Sequence, residues 1–272
     1  MIVIGERINA TRKTVSRAIQ SRDRAVIEEQ IEHQDQAGAD YIDLNAGMGT
    51  GDTGHEVEAM CWLIDIALET TEKQLSIDSA NPLIIQKAAD HLDHRRPWLL
   101  NSVKKEEHLL EAMLPIAAHH QVPLIALAMD AEEIPAEAER RVQVCAEIGE
   151  EAQKAGVPLD RLFFDPLVMP LSSNHAHGQV ALETLQQLKR ELPQARTAMG
   201  VSNISFGLPQ RARINEAFLV AAIAHGLDAA ICDPVDEGIR RGILLGRLIA
   251  GQDRYCRRFT RVLRKKKFDN RP

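Results

Sequence analysis

Short runs of apolar, mostly β-branched residues alternate along this chain with longer stretches in which apolar residues recur at every third or fourth position. The runs predict strands over residues 2–8, 41–46, 74–79, 98–103, 123–129, 162–167, 197–202 and 229–232. The longer stretches, such as His108-Leu-Leu-Glu-Ala-Met-Leu-Pro-Ile and Ala181-Leu-Glu-Thr-Leu-Gln-Gln-Leu, carry a helical stripe. Read this way, strand and helix alternate without two helices or two strands in succession. Strands apolar at every position, as in Leu124-Ile-Ala-Leu-Ala, are expected to be buried on both faces, as in a parallel sheet. Asn81-Pro82 and Pro209 mark helix starts, and Gly38, Gly156 and Gly226 mark helix ends.

Eight such units in 272 residues, 44% of them hydrophobic, predict a single α/β domain. An open doubly wound sheet shares the alternation, but eight regular units favour closure into a (β/α)8 TIM barrel. No linker interrupts the pattern before a basic C-terminal segment, so the expected division is a barrel over 1–256 and a tail over 257–272. Residues 254–272 hold nine Lys or Arg and one acid, Asp269, so the net charge of −6 conceals a strongly acidic body. A solvated extension is the first expectation for that tail, and docking to an acidic partner the second. With aromatics at 4%, a stacking platform for nucleic acid is not expected.

The first apolar run is broken by Glu6 and Arg7, and the run from Phe218 to Cys232 contains His225 and Asp228. Neither fits a signal peptide or a membrane span, and the expected location is the cytoplasm. Cys61, Cys145, Cys232 and Cys256 are widely spaced, and His119-His120 and His175-Ala-His177 lack neighbouring acidic or thiol ligands. Reduced thiols and no intrinsic metal are expected.

Seven times an apolar run stops at Asp or Asn: Asp43 with Asn45, Asp78, Asn101, Asp130, Asp165, Asn203 and Asp233. In a parallel barrel these strand ends share one mouth, so the recurrence predicts a polar pocket rather than scattered helix caps. Few Lys or Arg accompany them, which disfavours a multiply phosphorylated ligand. Carboxylates flanked by amides suit a 2-aminopyrimidinone edge, whose NH2 and ring N–H donate as a pair to one Asp, and a pterin has that edge. A rival signal is Gly49-Thr-Gly51-Asp-Thr-Gly54, which matches G-x-G-x-x-G and would imply a dinucleotide-dependent reductase.

Ile4-Gly-Glu-Arg-Ile-Asn9, Asp43-Leu-Asn45, Ile77-Asp-Ser79, Asn101-Ser102, Asp165-Pro-Leu167 and Gly200-Val-Ser-Asn-Ile-Ser205 together resemble the methyltetrahydrofolate:corrinoid methyltransferases. These are pterin-binding, dihydropteroate synthase-like barrels that include the folate module of cobalamin-dependent methionine synthase. The resemblance spans about residues 1–256 and implies transfer of the N5-methyl group between 5-methyltetrahydrofolate and the cobalt of a corrinoid. It implies that Asp78, Asn101 and Asp165 hold the pterin, that Asn203 approaches N5 as the catalytic amide, and that Phe206 and Arg211 contact the substrate, Arg211 at the benzoyl-glutamate arm. Glu6, Asn9, Asp43, Asn45 and Asp233 are further candidates. No D-x-H-x-x-G corrinoid signature occurs, so the corrinoid is expected on a partner protein, and a homodimer is expected by resemblance. Dihydropteroate synthase is the sister reading, but Gly47-Met-Gly-Thr-Gly51 replaces that family's Ser-Thr-Arg-Pro-Gly loop. A non-catalytic folate-binding protein would keep the same pterin contacts.

Overall fold

The computed structural model describes residues 1–49, 51–131 and 133–269. Eight parallel strands close on themselves: β1 (Ile2–Asn9), β2 (Tyr41–Asn45), β3 (Gln74–Asp78), β4 (Trp98–Lys105), β5 (Leu124–Asp130), β6 (Leu162–Asp165), β7 (Arg196–Gly200) and β8 (Ala229–Cys232). Closure is made where Ile2 to Gly5 pair with Ala229 to Cys232. The lumen is a packed core in which Ile4, Tyr41, Leu99, Ile125, Phe163, Ala198 and Ala229 form one buried cluster. That plug puts a floor under whatever assembles at the C-terminal strand ends.

The helices are α1 (Lys13–Ser21), α2 (Arg24–Gln36), α3 (Thr53–Thr70), α4 (Pro82–Leu92), α5 (Glu107–His120), α6 (Ala138–Lys154), α7 (His177–Glu191), α8 (Arg211–Ala224), α9 (Glu237–Ile249) and α10 (Arg257–Asp269). The Asn81 side chain accepts from the Leu83 N–H with Pro82 next to it, and Gly38, Gly156 and Gly226 take the positive φ that ends a helix cleanly. The strict alternation does not hold, because α1 and α2 follow one another and α10 follows α9. Arg22, in the left-handed region at φ 53°, breaks the first pair, a turn that a chain lacking Gly or Pro there does not advertise.

Two strands stop earlier than their apolar runs. β6 ends at Asp165 because Pro166 has no N–H for the ladder, and β7 ends at Gly200, after which Val201–Ser205 winds into a 3-10 turn. β4 runs two residues further than expected, to Lys105. The basic segment forms α10 over its described part, residues 270–272 lying outside it. Phe259, Val262 and Leu263 of α10 line an apolar groove of about 540 Å³ with Leu244 and Leu245 of α9. Among the described residues no helix is long and apolar enough to cross a membrane.

Candidate active site

The strand-end polar residues divide into a floor and a rim. On the floor, Asp78 of β3 is register partner to Asn101 of β4. Asn101 donates from Nδ2 to Asp43 Oδ1 at 3.1 Å, and Ser76 Oγ donates to the same oxygen at 2.5 Å. Asn45 donates from Nδ2 to Asp78 Oδ2 at 2.8 Å, while its Oδ1 accepts from the Gly47 N–H. Asn45 is thus held at both ends and orients Asp78. Burial drives the Asp43 carboxyl well above the ordinary range, and the Asp78 carboxylate adds to it; Asp78 itself is raised by burial.

Asp165 closes the floor from β6. Its Oδ1 accepts from the Leu167 N–H at 2.8 Å, and the Gly200 N–H also donates to this carboxylate. Burial nevertheless raises its pKa to about 6, against those hydrogen bonds and the nearby Arg141 charge. Arg141, only 2% exposed, donates from Nε to Pro135 O and from Nη1 to the carbonyls of Pro166 and Leu167. It clamps the loop that keeps Leu167 at φ 61°.

The rim surrounds a cavity of about 510 Å³ between β1, β7 and β8, lined by Glu6, Asn9, Asn203, Phe206, Arg211 and Asp233 among others. Asn203 stands exposed on the 3-10 turn, and a Cβ at Gly200 would come within 3.2 Å of its Nδ2, so glycine there leaves room for the amide to fold back. Arg211 secures the turn: Nε donates to Ser205 Oγ and Nη2 to Ser202 O, both at 3.0 Å, with the guanidinium 5.7 Å from the centre of the Phe206 ring. Phe206 is 64% exposed, an unusual state for a large aromatic unless something covers it.

Glu6 reaches this cavity through an irregularity in β1. Gly5 pairs with Ile42 but Ile8 with Leu44, so β1 holds one residue more than β2 across the same span. Such a bulge re-aims side chains, and the Arg7 N–H it releases from the ladder donates to Gln34 Oε1 at 3.0 Å. Arg7 then pairs with Asp233 at 2.9 Å, joined by Arg12 at 3.6 Å. Glu6 accepts a long hydrogen bond from Ser202 Oγ at 3.4 Å, and burial raises its pKa to about 7.

Three expected site residues serve first as local structure. Asn9 Oδ1 accepts from both the Thr11 N–H and Oγ1, a turn of the chain that also lines the cavity. Asp233 is held by its arginines and by the Val235 N–H. Asp130 does not join the pocket, being ion-paired to Lys105 and Arg140. In the glycine loop, Thr50 lies outside the described residues, and Asp52 already caps α3 by accepting from the His55 N–H. A carboxylate stands where a dinucleotide fold would present bare N–H groups to phosphate.

Residues 5–233 match the model of the pterin-binding enzymes. Over 98% of this chain and 97% of the relative, the sequence is 34% identical to the methylcorrinoid:tetrahydrofolate methyltransferase of Eubacterium limosum. The chain belongs to that methyltransferase family of pterin-binding enzymes. It is also 28% identical over 85% of its length to methionine synthase of Mycobacterium tuberculosis, of which the aligned part makes up 20%. Its fold is similar to dihydropteroate synthases from Yersinia pestis (TM-score 0.71, 16% identity, 92% of this chain and 94% of that one) and Coxiella burnetii (0.69, 17%, 93% and 94%). Against these methyltransferase relatives, sequence reasoning missed Arg7, Gln34, Ser76 and Arg141. The two arginines sit in positions whose pattern reads as solvated surface, and no sequence signal marks the bulge.

Proposed function

We propose that the protein moves a methyl group between N5 of tetrahydrofolate and the cobalt of a corrinoid carried by a partner protein. The observation that carries this reading is the pairing of an acceptor-rich floor with an exposed amide on an open rim. Asp78 and Asp165 offer carboxylate oxygens, and Asn101, fixed by Asp43 through one N–H, keeps its Oδ1 for the ligand. This donor and acceptor set fits the 2-amino-4-oxo edge of a pterin. Asn203, above the floor, donates to N5 as charge changes there, and an oriented donor of that kind contributes roughly 3 kcal/mol to a transition state. Phe206 and Arg211 flank the benzoyl-glutamate arm.

The corrinoid supplies or accepts the methyl group at its cobalt. The exposed rim leaves the reacting nitrogen reachable from outside, which is what a cofactor arriving on another protein requires. Leu83, 52% exposed at the start of α4, and Phe206 offer that protein apolar contacts on the mouth side. In this reading residues 1–256 are the catalytic barrel, 257–272 a basic appendage, and the working form a cytoplasmic homodimer; the family resemblance supports the dimer and the unpaired cysteines support a reducing compartment. The test is direct: mixed with methylcob(III)alamin and tetrahydrofolate, or with cob(I)alamin and 5-methyltetrahydrofolate, the protein should drive the change in the cobalt spectrum in one or both directions. A protein that binds folate but leaves the cobalt spectrum unchanged with both pairs would be a folate carrier.

A further inference from the structure

Methylating N5 of tetrahydrofolate replaces an N–H by an N–CH3, so a proton leaves for every methyl group that arrives, and one must return in the opposite direction. The Asn203 amide can hydrogen-bond N5 but cannot take up or release that proton at neutral pH. Some other group facing the same cavity has to, directly or through one water. We propose that Glu6 is that group, exchanging the N5 proton with solvent during methyl transfer. The inference rests on the function proposed above and adds a role for a residue in the same cavity.

Geometry singles out Glu6 among the acids nearby. Asp233 is committed to Arg7, Arg12 and the Val235 N–H. Asp236 caps α9 by accepting from the Ile239 N–H. Asp43, Asp78 and Asp165 are fixed on the floor by Ser76 and Asn101, by Asn45, and by Leu167 with Gly200. Glu6 has a single long contact, from Ser202 Oγ, and among the described residues its Oε1 accepts no hydrogen bond. Ser202 immediately precedes Asn203 on the 3-10 turn, so Glu6 is joined through one hydroxyl to the segment that presents the amide, and all three line the cavity. The bulge is what places it there: without the extra residue between Gly5 and Ile8, the register of β1 would send this position to the other face.

The groups around Glu6 set it near neutrality. Burial raises its pKa to about 7, Asp233 adds to the rise, and Arg12, Arg211 and the Ser202 hydroxyl oppose it. Behind it, burial holds the Asp43 carboxyl and the Cys232 thiol well above their ordinary ranges, so neither competes as an anion. Both protonation states of Glu6 are therefore populated at neutral pH, the condition under which a general acid–base is most effective. Towards folate, the N5 lone pair forms the bond to the methyl carbon, the bond from that carbon to cobalt breaks with its electron pair staying on cobalt, and the N5 proton passes to the Glu6 carboxylate. Away from folate, protonated Glu6 gives its proton to N5 as the N5–CH3 bond breaks and the methyl carbon bonds to cob(I).

The test is single-turnover transfer between free cobalamin and folate at saturating folate, in both directions, from about pH 5 to about pH 9. For Glu6→Gln we expect a saturated rate roughly 10²-fold lower, loss of the pH dependence centred near 7, and a folate Kd within about three-fold of the parent. Ser202→Ala removes a hydrogen bond that favours the ionised form, so its pH profile should move upward with little change in Kd. Where Glu6→Gln fails to fold by circular dichroism, Ser202→Ala and Glu6→Asp decide, the latter keeping a displaced limb. A parent protein that transfers methyl groups while Glu6→Gln keeps its rate and profile, or Ser202→Ala leaves the limb unmoved, overturns the role of Glu6 alone. A parent protein that transfers none overturns the function on which it rests.

Discussion

The two halves of the barrel mouth are built to opposite specifications. Across β2, β3 and β4, every polar side chain meets another: Asn45 holds Asp78, and Ser76 and Asn101 share an oxygen of Asp43. Across β7, β8 and β1, side chains stand at an open cavity; Asn203 and Phe206 are exposed, and Glu6 has one long contact. The first half is preorganised, so a ligand docking there does not have to order the groups that recognise it. The second half is accessible, which a reaction shared with a second protein needs. Recognition and chemistry are thereby given to different strands, and substitutions should separate them.

The largest expected effect is on the open side. Asn203→Ala should depress the saturated transfer rate by roughly 10² to 10³ while folate affinity changes little, because the amide acts mainly in the transition state. Single-turnover kinetics at saturating folate read this, and a near-normal saturated rate would make Asn203 a binding residue and erase the division. On the floor the reverse is expected. Asp165→Asn turns one acceptor into a donor at a buried position that already receives the Leu167 and Gly200 N–H groups, at a cost of roughly 2 kcal/mol, or about 30-fold in Kd. Calorimetric titration with 5-methyltetrahydrofolate measures it, and the rate at saturation should stay within a few-fold.

Stability offers a contrast of sign. Glu6 has a folded-state pKa of about 7 against the usual 4.5, so the folded protein retains a proton that the unfolded chain has lost between those values. Its contribution to stability therefore falls as pH rises through that window and is fully adverse above it. Glu6→Gln should raise the urea midpoint relative to the parent above about pH 7, by an amount on the order of 2 kcal/mol, and give no such gain below about pH 4.5. A gain at every pH would point to packing rather than charge. The smallest effect is assigned to Asn45→Ala, which frees Asp78 Oδ2 without touching the ligand. A loss of about 1 kcal/mol, seen as about five-fold in folate Kd with an unchanged saturated rate, is expected.

The legible part of this molecule was the part with a period. Asp78, Asn101 and Asp165 stood out because a parallel strand buried on both faces reads as an uninterrupted apolar run, and a polar residue ending it is conspicuous. Closure of the barrel followed from counting such runs. What stayed hidden depends on single residues that break the period. The bulge at Glu6 adds one position to β1 and leaves its composition unchanged, so alternation alone cannot show which way the carboxylate points. Arg141 lies among the charged residues of α6, where a buried guanidinium and a solvated one look the same until the carbonyls it serves are in place. The strand-end rule also took in Asp130, whose partners Lys105 and Arg140 draw it into an ion-pair cluster.

The clamp made by Arg141 also fixes a timescale. Its guanidinium joins the carbonyl of Pro135, in the segment before α6, to those of Pro166 and Leu167, and none of these bonds can be lent to water while the side chain is only 2% exposed. The Leu167 N–H, donated to Asp165, can therefore meet deuterium only through openings that tear out a buried cation, whereas amides of the exposed segment around Phe206 and Gly207 exchange through small local fluctuations. Slow and fast clocks sit on opposite sides of one cavity. A pterin seated against Asp165 thus leaves a surface that does not move to release it, and its residence is set by the strength of its own hydrogen bonds, while the tempo of the encounter with a second protein is set at the rim.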